Sequence, residues 1–303
     1  MTNREKVIPI VTIAIINYNK EKYIDNAIKS ALGQTYQNLE VVIADDCSTD
    51  TSLQIASRYP VRIVKNIKNK GTLATRLLGA QHARGKFFLY LDSDDMFYSS
   101  DLVENLMKAQ KLHRTDIVHF NAVKNNNSQL SFYEFGSCKN YSIVAQPALQ
   151  ALMFDTHLAW GKLMKTEIIL KAYAFIADDM RHVIFDDFTI MPLVGYFAQT
   201  YIAIYDIGYV YTVNPEQVTT QNEASIGKRL HDMAMSANVM KKHPKKEFYR
   251  TYWTNFAFQL QSIQKRSKKL CKYLEDLNFD QDQLNSLKEK NLYCNGYFKR
   301  YQR

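Results

Sequence analysis

The segment that most constrains this chain is an apolar stretch that runs directly into a cluster of acidic residues. Lys86 is followed by the apolar and aromatic residues 87–91, and then by Asp92-Ser93-Asp94-Asp95. Such a run predicts a buried strand, and in an open α/β sheet ligands bind at the carboxyl ends of the strands. Three carboxylates within four residues repel one another unless a cation neutralises them. Mg²⁺ and Mn²⁺ prefer oxygen ligands of this kind, so the segment predicts a metal and diphosphate site.

A helix cap is the alternative explanation for this acidic cluster. Asp95 or Ser99 could cap a helix that is predicted to begin near Asp101. A cap needs only one such side chain, so capping does not explain three carboxylates.

A second acidic cluster follows an earlier predicted strand in the same way. Residues 39–44, which are apolar apart from Glu40, lead into Asp45 and Asp46, and a helix is predicted after them. Either Ser48 or Asp50 could cap that helix. In the other interpretation the two aspartates face the same crevice as the first cluster, where a carboxylate can accept a hydrogen bond from a ribose hydroxyl or a pyrimidine N–H.

Two polar loops follow other predicted strands of the amino-terminal half. Asn17-Tyr18-Asn19-Lys20 leads from the first strand into an amphipathic helix, and Tyr18 could stack on a base or simply pack. A second loop, at residues 66–72, is followed by a helix that carries Arg76. This arginine could reach a phosphate or be an ordinary surface residue.

Taken in order, these segments resemble the opening of the family 2 glycosyltransferases of the GT-A fold. The matching segments are residues 11–19, 30–35, 45–50, 69–71 with Arg76, and 83–86 leading into 92–95. The resemblance implies an α/β, GT-A-like fold with a mostly parallel central sheet. Leu77-Leu78-Gly79 departs from the Asn-x-Gly that often follows the family's arginine.

The resemblance implies an inverting transfer of a hexosyl or N-acetylhexosaminyl group from a nucleotide-sugar, most often a UDP-sugar, with Mn²⁺ or Mg²⁺ on the diphosphate. It assigns Asp46 to the base or ribose, and Asp92 and Asp94 to the metal and the donor sugar. Asp95 lies beside them and could share the metal. The residues expected to bind the donor are Tyr18, Asn19, Asp46, Arg76, Asp92, Ser93 and Asp94.

The resemblance continues more thinly beyond residue 100. Trp160-Gly161-Lys162-Leu163 is similar to the family's Trp-Asn-Lys-Leu segment, and Tyr209-Val210-Tyr211 with residues 215–219 is similar to its closing strand and loop. Phe185-Asp186-Asp187-Phe188 resembles the acidic pair whose second carboxylate is the catalytic base. This implies Asp187 as the base, with Asp186 beside it.

Two alternatives bear on this acidic pair. Asp178-Asp179 is a rival pair, less favoured because an apolar, helix-like run follows Asp187 at once. Asp186 could also be the cap of that predicted helix.

Sugar transfer needs few catalytic groups. A cation offsets the charge that develops on the leaving diphosphate. A carboxylate base accelerates attack by the acceptor hydroxyl by about 10²–10⁴-fold.

Two other functions are possible for such a sequence. One is a sugar nucleotidyltransferase, which would need a glycine- and arginine-rich phosphate loop after the first strand. The other is a non-catalytic nucleotide- or glycan-binding protein of the same fold.

Length and composition predict one large domain with an appendage. The chain has 303 residues, of which 46% are hydrophobic, enough for a full core. We expect a catalytic domain at residues 1–220, divided into a nucleotide-binding half (1–100) and an acceptor-binding half (101–220), and a helical extension at 221–303. Four scattered cysteines and the lack of a signal-peptide pattern favour a cytoplasmic protein.

Residues 188–205 form a stretch without charged residues that is long enough for a membrane span. Polar residues interrupt the stretch and its periodicity changes from helical to β-like, so we do not expect it to cross a membrane.

The carboxyl-terminal region carries the excess charge. Residues 221–303 contain 17 Lys and Arg and 8 Asp and Glu, so they account for the whole net charge of +9. One interpretation is a basic helical surface resting on an anionic membrane, close to a surface-glycan or lipid-linked acceptor. The other is a helical extension that packs on the catalytic domain or on a second subunit. Nucleic-acid binding is not expected, because no recognised motif accompanies the charge.

Overall fold

Strands and helices alternate through the first half of the chain, and the second half adds strands to the same sheet. The computed structural model describes residues 10–133, 158–176 and 186–214, together with Asp232 and Ser236. The strands are β1 (Val11–Asn17), β2 (Leu39–Asp45), β3 (Arg62–Lys65), β4 (Phe87–Asp92), β5 (Met96–Phe97), β6 (Ile117–Asn126), β7 (Gln129–Phe132), β8 (Lys162–Lys165) and β9 (Tyr201–Thr212). The helices are α1 (Ile24–Leu32), α2 (Ser52–Ala56), α3 (Thr72–Gln81), α4 (Leu102–His113), α5 (Thr166–Tyr173) and α6 (Asp187–Phe197).

The strands of the described residues form one nine-stranded sheet. Its order is β3-β2-β1-β4-β8-β6-β9-β5, and β7 pairs with β6. Strands β3, β2, β1 and β4 run parallel to one another, and β6 is parallel to β9. Antiparallel pairs join β8 to β4 and β6, and β5 to β9. The sheet is therefore parallel around the amino-terminal half and mixed beyond it, and the predicted α/β class is confirmed.

The chain divides into two compact units. The first comprises residues 1–182 and 190–214 and contains the sheet, and the second comprises residues 183–189 and 215–303. The predicted boundary near residue 220, the rival pair Asp178-Asp179 and the basic region 221–303 lie outside the described residues, apart from Asp232 and Ser236.

Strand β1 is central to the parallel part of the sheet, and every one of its residues is buried. Parallel strands covered on both faces have continuous apolar sequences, as here. Thr12 is a polar exception: its Oγ1 donates to Glu40 Oε1 (2.8 Å) and accepts from Gly85 N (2.9 Å). A Cβ at Gly85 would lie 2.5 Å from Thr12 N, so only glycine allows this close approach before β4.

The register of the parallel strands brings their carboxyl ends to one edge of the sheet. Asn17 at the end of β1 pairs with Asp45 at the end of β2, and Ile16 pairs with Asp92 at the end of β4. Because neighbouring strands lie about 4.8 Å apart, the two acidic clusters flank the end of β1. This is the edge at which open α/β sheets bind ligands.

The uncharged stretch at residues 188–205 is divided between two elements. Helix α6 ends at Phe197 and strand β9 begins at Tyr201. In the described part of the chain, the helices are too short or too polar to cross a membrane.

Candidate functional site

Asp45 holds the loop that follows β2. It is fully buried, and its carboxylate accepts hydrogen bonds from Asn17 Nδ2 (2.7 Å), Ser48 N (2.9 Å) and Ser48 Oγ (2.5 Å). Between them, Cys47 adopts a positive φ of 65°. The carboxylate oxygens of Asp45 therefore stabilise the turn that follows β2 and join it to the end of β1.

Asp46 anchors a different loop, the one between β3 and α3. Its Oδ1 accepts from Asn66 Nδ2 (2.9 Å) and Lys70 N (2.8 Å), and its Oδ2 accepts from Gly71 N (2.8 Å). Gly71 has a φ of 86°, which favours glycine at this position. Asp46 is buried and fixes the loop at residues 66–71 at the carboxyl edge of the sheet. The predicted contact of Asp46 with a base or ribose stays a prediction.

The loop after β1 is fastened to the loop after β2. Asn19 N donates to Ser48 Oγ (3.0 Å), and Asn19 Oδ1 accepts from Thr49 N (2.8 Å). Beside it, Tyr18 is 45% exposed. The ring is therefore accessible at the edge where the sequence predicts stacking on a base.

Arg76 is not a surface residue. It lies on α3, is 4% exposed, and its Nη2 is 3.0 Å from Asp92 Oδ1. Its guanidinium also lies 5.2 Å from the centre of the Tyr90 ring. A buried guanidinium held in this way fixes the charge of Asp92 at the end of β4.

Ser93 and Asp94 continue from the end of β4. Ser93 is buried, and its backbone N–H donates to the carbonyl of Ile16 (3.1 Å), which ties the acidic loop to β1. Asp94 Oδ2 receives an ion pair from Lys20 Nζ (2.8 Å) and a hydrogen bond from Asn214 Nδ2 (3.1 Å). The cluster thus takes a partner from the loop after β1 and another from the segment after β9.

Asp95 is held from strand β9. Its Oδ2 accepts from the Tyr209 hydroxyl (2.8 Å) and its Oδ1 from Thr212 N (2.8 Å). Burial, and then the charges of Asp94 and Asp92, raise the pKa of Asp95 well above its ordinary value. Burial likewise raises the pKa of Tyr209, which keeps its hydroxyl a donor.

An aromatic stack supports this tyrosine. The rings of Trp160 and Tyr209 are nearly parallel with centres 4.5 Å apart, and Tyr211 is also stacked with Trp160, with centres 6.0 Å apart. Lys162, which is fully buried, donates from Nζ to the carbonyl of Leu158 (2.6 Å). The Trp-Gly-Lys-Leu segment therefore reaches the acidic loop through Tyr209.

Asp186 and Asp187 lie at the amino-terminal end of α6, in the second unit. Asp186 is buried, and its carbonyl accepts from Thr189 N (2.8 Å). Thr189 Oγ1 is in turn hydrogen-bonded to Ser236 Oγ (2.5 Å). Asp187 is the first residue of the helix, as the sequence predicts, and its role as the base stays a prediction.

The acidic loop has the right chemistry for a hard divalent cation. Both contacts of Asp94 use Oδ2, so within the described residues its Oδ1 is open to a metal, with Asp92 two positions away. Asp95 is less suited to share it, because it is buried and both its oxygens are hydrogen-bonded. Asp92 also has both oxygens near Arg76 Nη2 (3.0 and 3.4 Å), but its side chain is 26% exposed. Among the described side chains, no group of three or more His, Cys, Asp and Glu is arranged around a common metal position.

Sequence reasoning passed over three residues of this site: Lys20, Tyr209 and Asn214. Each contacts the acidic loop through its side chain. Tyr209 belongs to a segment that carries the resemblance and Lys20 directly follows another, but nothing in the spacing indicates which aspartate each contacts.

Comparison with known proteins identifies a family that this chain resembles. Residues 12–160 match the family described as "Glycosyl transferase family 2". The "Cholesterol galactosyltransferase" of Borreliella burgdorferi is 28% identical over 258 residues, which cover 78% of this chain and 68% of that relative.

Solved structures share the fold. Staphylococcus aureus TarS 1–349 in complex with UDP-GlcNAc superposes with a TM-score of 0.65 at 17% identity, covering 92% of this chain and 79% of that one. The mannosyltransferase PcManGT from Pyrobaculum calidifontis, in complex with GDP-Man and Mn²⁺, gives a TM-score of 0.53 at 16% identity, covering 93% and 84%.

Proposed function

Because this chain carries a family 2 glycosyltransferase domain of the GT-A fold, we propose that it is a metal-dependent, inverting glycosyltransferase. The proposed donor is a UDP-hexose or UDP-N-acetylhexosamine, and the acceptor is a hydroxyl of a surface glycan or of a lipid-linked glycan. The observation that carries the proposal is the convergence of the Asp46-anchored loop and the Asp92–Asp95 cluster on the two sides of β1.

The two sides of β1 suit the two ends of a nucleotide-sugar. On one side, the exposed ring of Tyr18 offers a face for the base, and the loop held by Asp46 borders the nucleoside. On the other side, Asp92 and Asp94 supply oxygen ligands next to the diphosphate. The relatives whose structures contain UDP-GlcNAc or GDP-Man support a nucleotide-sugar donor.

A divalent cation, Mn²⁺ or Mg²⁺, would be held by Asp92 and Asp94. When bound, it supplies positive charge against the charge that develops on the leaving diphosphate. Arg76 adds a fixed guanidinium at Asp92, and its burial prevents water from screening this charge. The presence of Mn²⁺ in the PcManGT complex supports this choice of cation.

Asp187 is the proposed base that accepts the proton of the acceptor hydroxyl, with Asp186 beside it. Asp187 is the first residue of α6, where the helix dipole favours a negatively charged side chain. Asp179 is the alternative base.

Donor turnover tests the proposal directly. The full chain is incubated with a panel of nucleotide-sugars and Mn²⁺, and release of the nucleoside diphosphate is measured by chromatography. We expect slow hydrolysis of one donor, most rapidly of a UDP-sugar, and its loss in EDTA. Binding of nucleotide without any diphosphate release, with every donor and acceptor tried, would favour a non-catalytic protein, whereas pyrophosphate formation from UTP and a sugar 1-phosphate would favour a nucleotidyltransferase.

Association with an anionic membrane through residues 221–303 is a further part of the proposal. The full net charge of +9 lies in this region, and each basic residue near an anionic surface contributes about 1 kcal/mol to binding. A peripheral position on the inner face of the membrane would bring the enzyme to a lipid-linked acceptor.

A further inference from the structure

Lys20 is a cation of the donor crevice that the proposed reaction does not use. Its backbone is fixed at the turn that begins α1, because its carbonyl accepts from Tyr23 N and Ile24 N, both at 3.0 Å. From this turn its side chain extends to the acidic loop, where Nζ lies 2.8 Å from Asp94 Oδ2. Asp94 is therefore paired with a cation of the protein itself before any metal ion binds.

The two cations of the acidic loop differ in how firmly they are held. The side chain of Arg76 is 4% exposed beside Asp92, packed over an aromatic ring. The side chains of Lys20 and Asp94 are 18% and 17% exposed. A lysine ammonium is a compact, well-hydrated charge on a flexible stem, so Lys20 can leave its aspartate at little cost, whereas the buried guanidinium cannot.

We propose that Lys20 is an exchangeable counter-cation of the donor site. In the free protein it neutralises Asp94, and when a divalent cation takes Asp94, the ammonium of Lys20 moves to the diphosphate of the donor. The inference rests on the proposed function, because it needs both a metal and a nucleoside diphosphate at this edge.

Charge balance supports the exchange. The acidic loop has three carboxylates, and Asp95 takes its partners from neutral donors on β9. Lys20 and Arg76 therefore balance the other two while no metal is bound. Once a divalent cation neutralises Asp94, the ammonium of Lys20 is no longer needed there. The diphosphate of the donor then supplies a new negative charge, which a lysine can bind as a point charge.

The proposal has a signature that a structural role would not give. Lys20 competes with the metal in the absence of nucleotide, so its removal should strengthen the binding of Mn²⁺ alone. The same lysine contacts the diphosphate in the complex, so its removal should weaken the binding of UDP in saturating Mn²⁺. The two affinities should change in opposite directions.

The test uses the full chain with Lys20→Met, which keeps the length of the stem and removes the charge. Electron paramagnetic resonance of free Mn²⁺ measures the affinity for the metal alone, and calorimetry with UDP in saturating Mn²⁺ measures the affinity for the nucleotide. We expect Mn²⁺ to bind about threefold to fivefold more tightly, the range of a partly exposed ion pair. UDP should bind about tenfold more weakly, as for a lost charged hydrogen bond.

Two further variants serve as controls. Lys20→Arg keeps the charge and should stay within about twofold of the wild type for both ligands, which would exclude a general effect of substitution at this site. Lys108→Met removes an exposed ion pair with Glu104 (2.9 Å) on α4 and should change neither affinity. If Lys20→Met does not give the circular dichroism of the folded protein, Lys20→Gln replaces it.

The outcomes separate the inference from the function. A wild type that binds neither UDP nor Mn²⁺ overturns the proposed function, and the inference with it. A wild type that binds both, with a Lys20→Met variant that is unchanged or weaker for both, overturns the inference alone. So does a wild type that binds UDP without any affinity for Mn²⁺, since no metal would then displace the lysine.

Discussion

The two acidic clusters have nearly the same sequence pattern, a buried strand followed by aspartates, yet their carboxylates have different partners. Asp45 and Asp46 accept from backbone N–H groups and neutral side chains of their own and neighbouring loops. Asp92 and Asp94 are paired with Arg76 and Lys20. Backbone donors cannot be exchanged without moving the chain, whereas a charged side chain can. The first cluster thus shapes the site, whereas the second is the one that we propose to bind a divalent cation.

The proposed catalytic base, which belongs to neither cluster, should give the largest effect, because the transfer step itself depends on its proton acceptor. Asp187→Asn keeps the shape of the side chain and removes the proton acceptor. We expect transfer to fall by about 10²–10⁴-fold with UDP binding unchanged. Transfer assays and calorimetry measure the two quantities. Asp179→Asn is the matched control, and an inactive Asp179→Asn beside an active Asp187→Asn would show the choice of base to be wrong.

Substitution in the second cluster should weaken ligand binding and leave the stability of the fold nearly unchanged. Asp94→Ala removes a partly exposed carboxylate with an available oxygen, so the metal-dependent part of UDP affinity should be lost while the melting temperature changes little. Calorimetry with and without EDTA, together with a thermal melt, checks both expectations. UDP affinity that responds neither to Asp94→Ala nor to EDTA would contradict the metal assignment.

The first cluster should show the opposite behaviour. Asp46→Ala removes an acceptor from Asn66 Nδ2 and from the backbone N–H groups of Lys70 and Gly71. We expect the free energy of unfolding to fall by about 1–3 kcal/mol, measured by urea denaturation. Asp94→Ala is the comparison variant. Equal stability losses in the two variants would remove the distinction between the clusters.

Tyr209 tests a smaller difference within the second cluster. Tyr209→Phe keeps the stack on Trp160 and removes the hydroxyl that donates to Asp95, leaving this buried carboxyl with one donor fewer. We expect a loss of about 1 kcal/mol in stability and a rise of a few-fold in the KM for the donor. Tyr98→Phe, at an exposed ring, should change neither value.

The smallest effect is expected outside both clusters. Substituting Lys265, Arg266, Lys268 and Lys269 by Glu should weaken binding to anionic liposomes and leave donor hydrolysis unchanged. The wild-type interaction should also weaken between low and physiological salt, where the screening length is about 8 Å. Flotation assays on the full chain measure the binding. Unchanged flotation would favour packing or oligomerisation of residues 221–303.

Local pattern is enough to predict strands β1, β2, β3 and β4, the helical face of α1 and the position of both acidic clusters. The buried residues of α1, Ile24, Ala27, Ile28 and Ala31, have the spacing of one helical face. The partners of the aspartates could not be predicted, because they come from elements far away in the sequence. Arg76 is as polar as any surface residue, and only the packing of α3 on strands β1, β2 and β3 makes it a buried partner of Asp92.

The partners of the acidic loop also set the order in which the site can be completed. The hydrogen-bond donors to Asp94 and Asp95 are Asn214, Tyr209 and Thr212. These residues are 114 to 120 positions further along the chain, so they are synthesised much later. A nascent chain can pair β1, β2, β3 and β4 long before these residues leave the ribosome. Contacts of such separation form late and slowly. The proposed donor crevice is therefore completed only after β9 has been made, and a chain interrupted before β9 would carry the parallel strands β1 to β4 without a formed acidic loop.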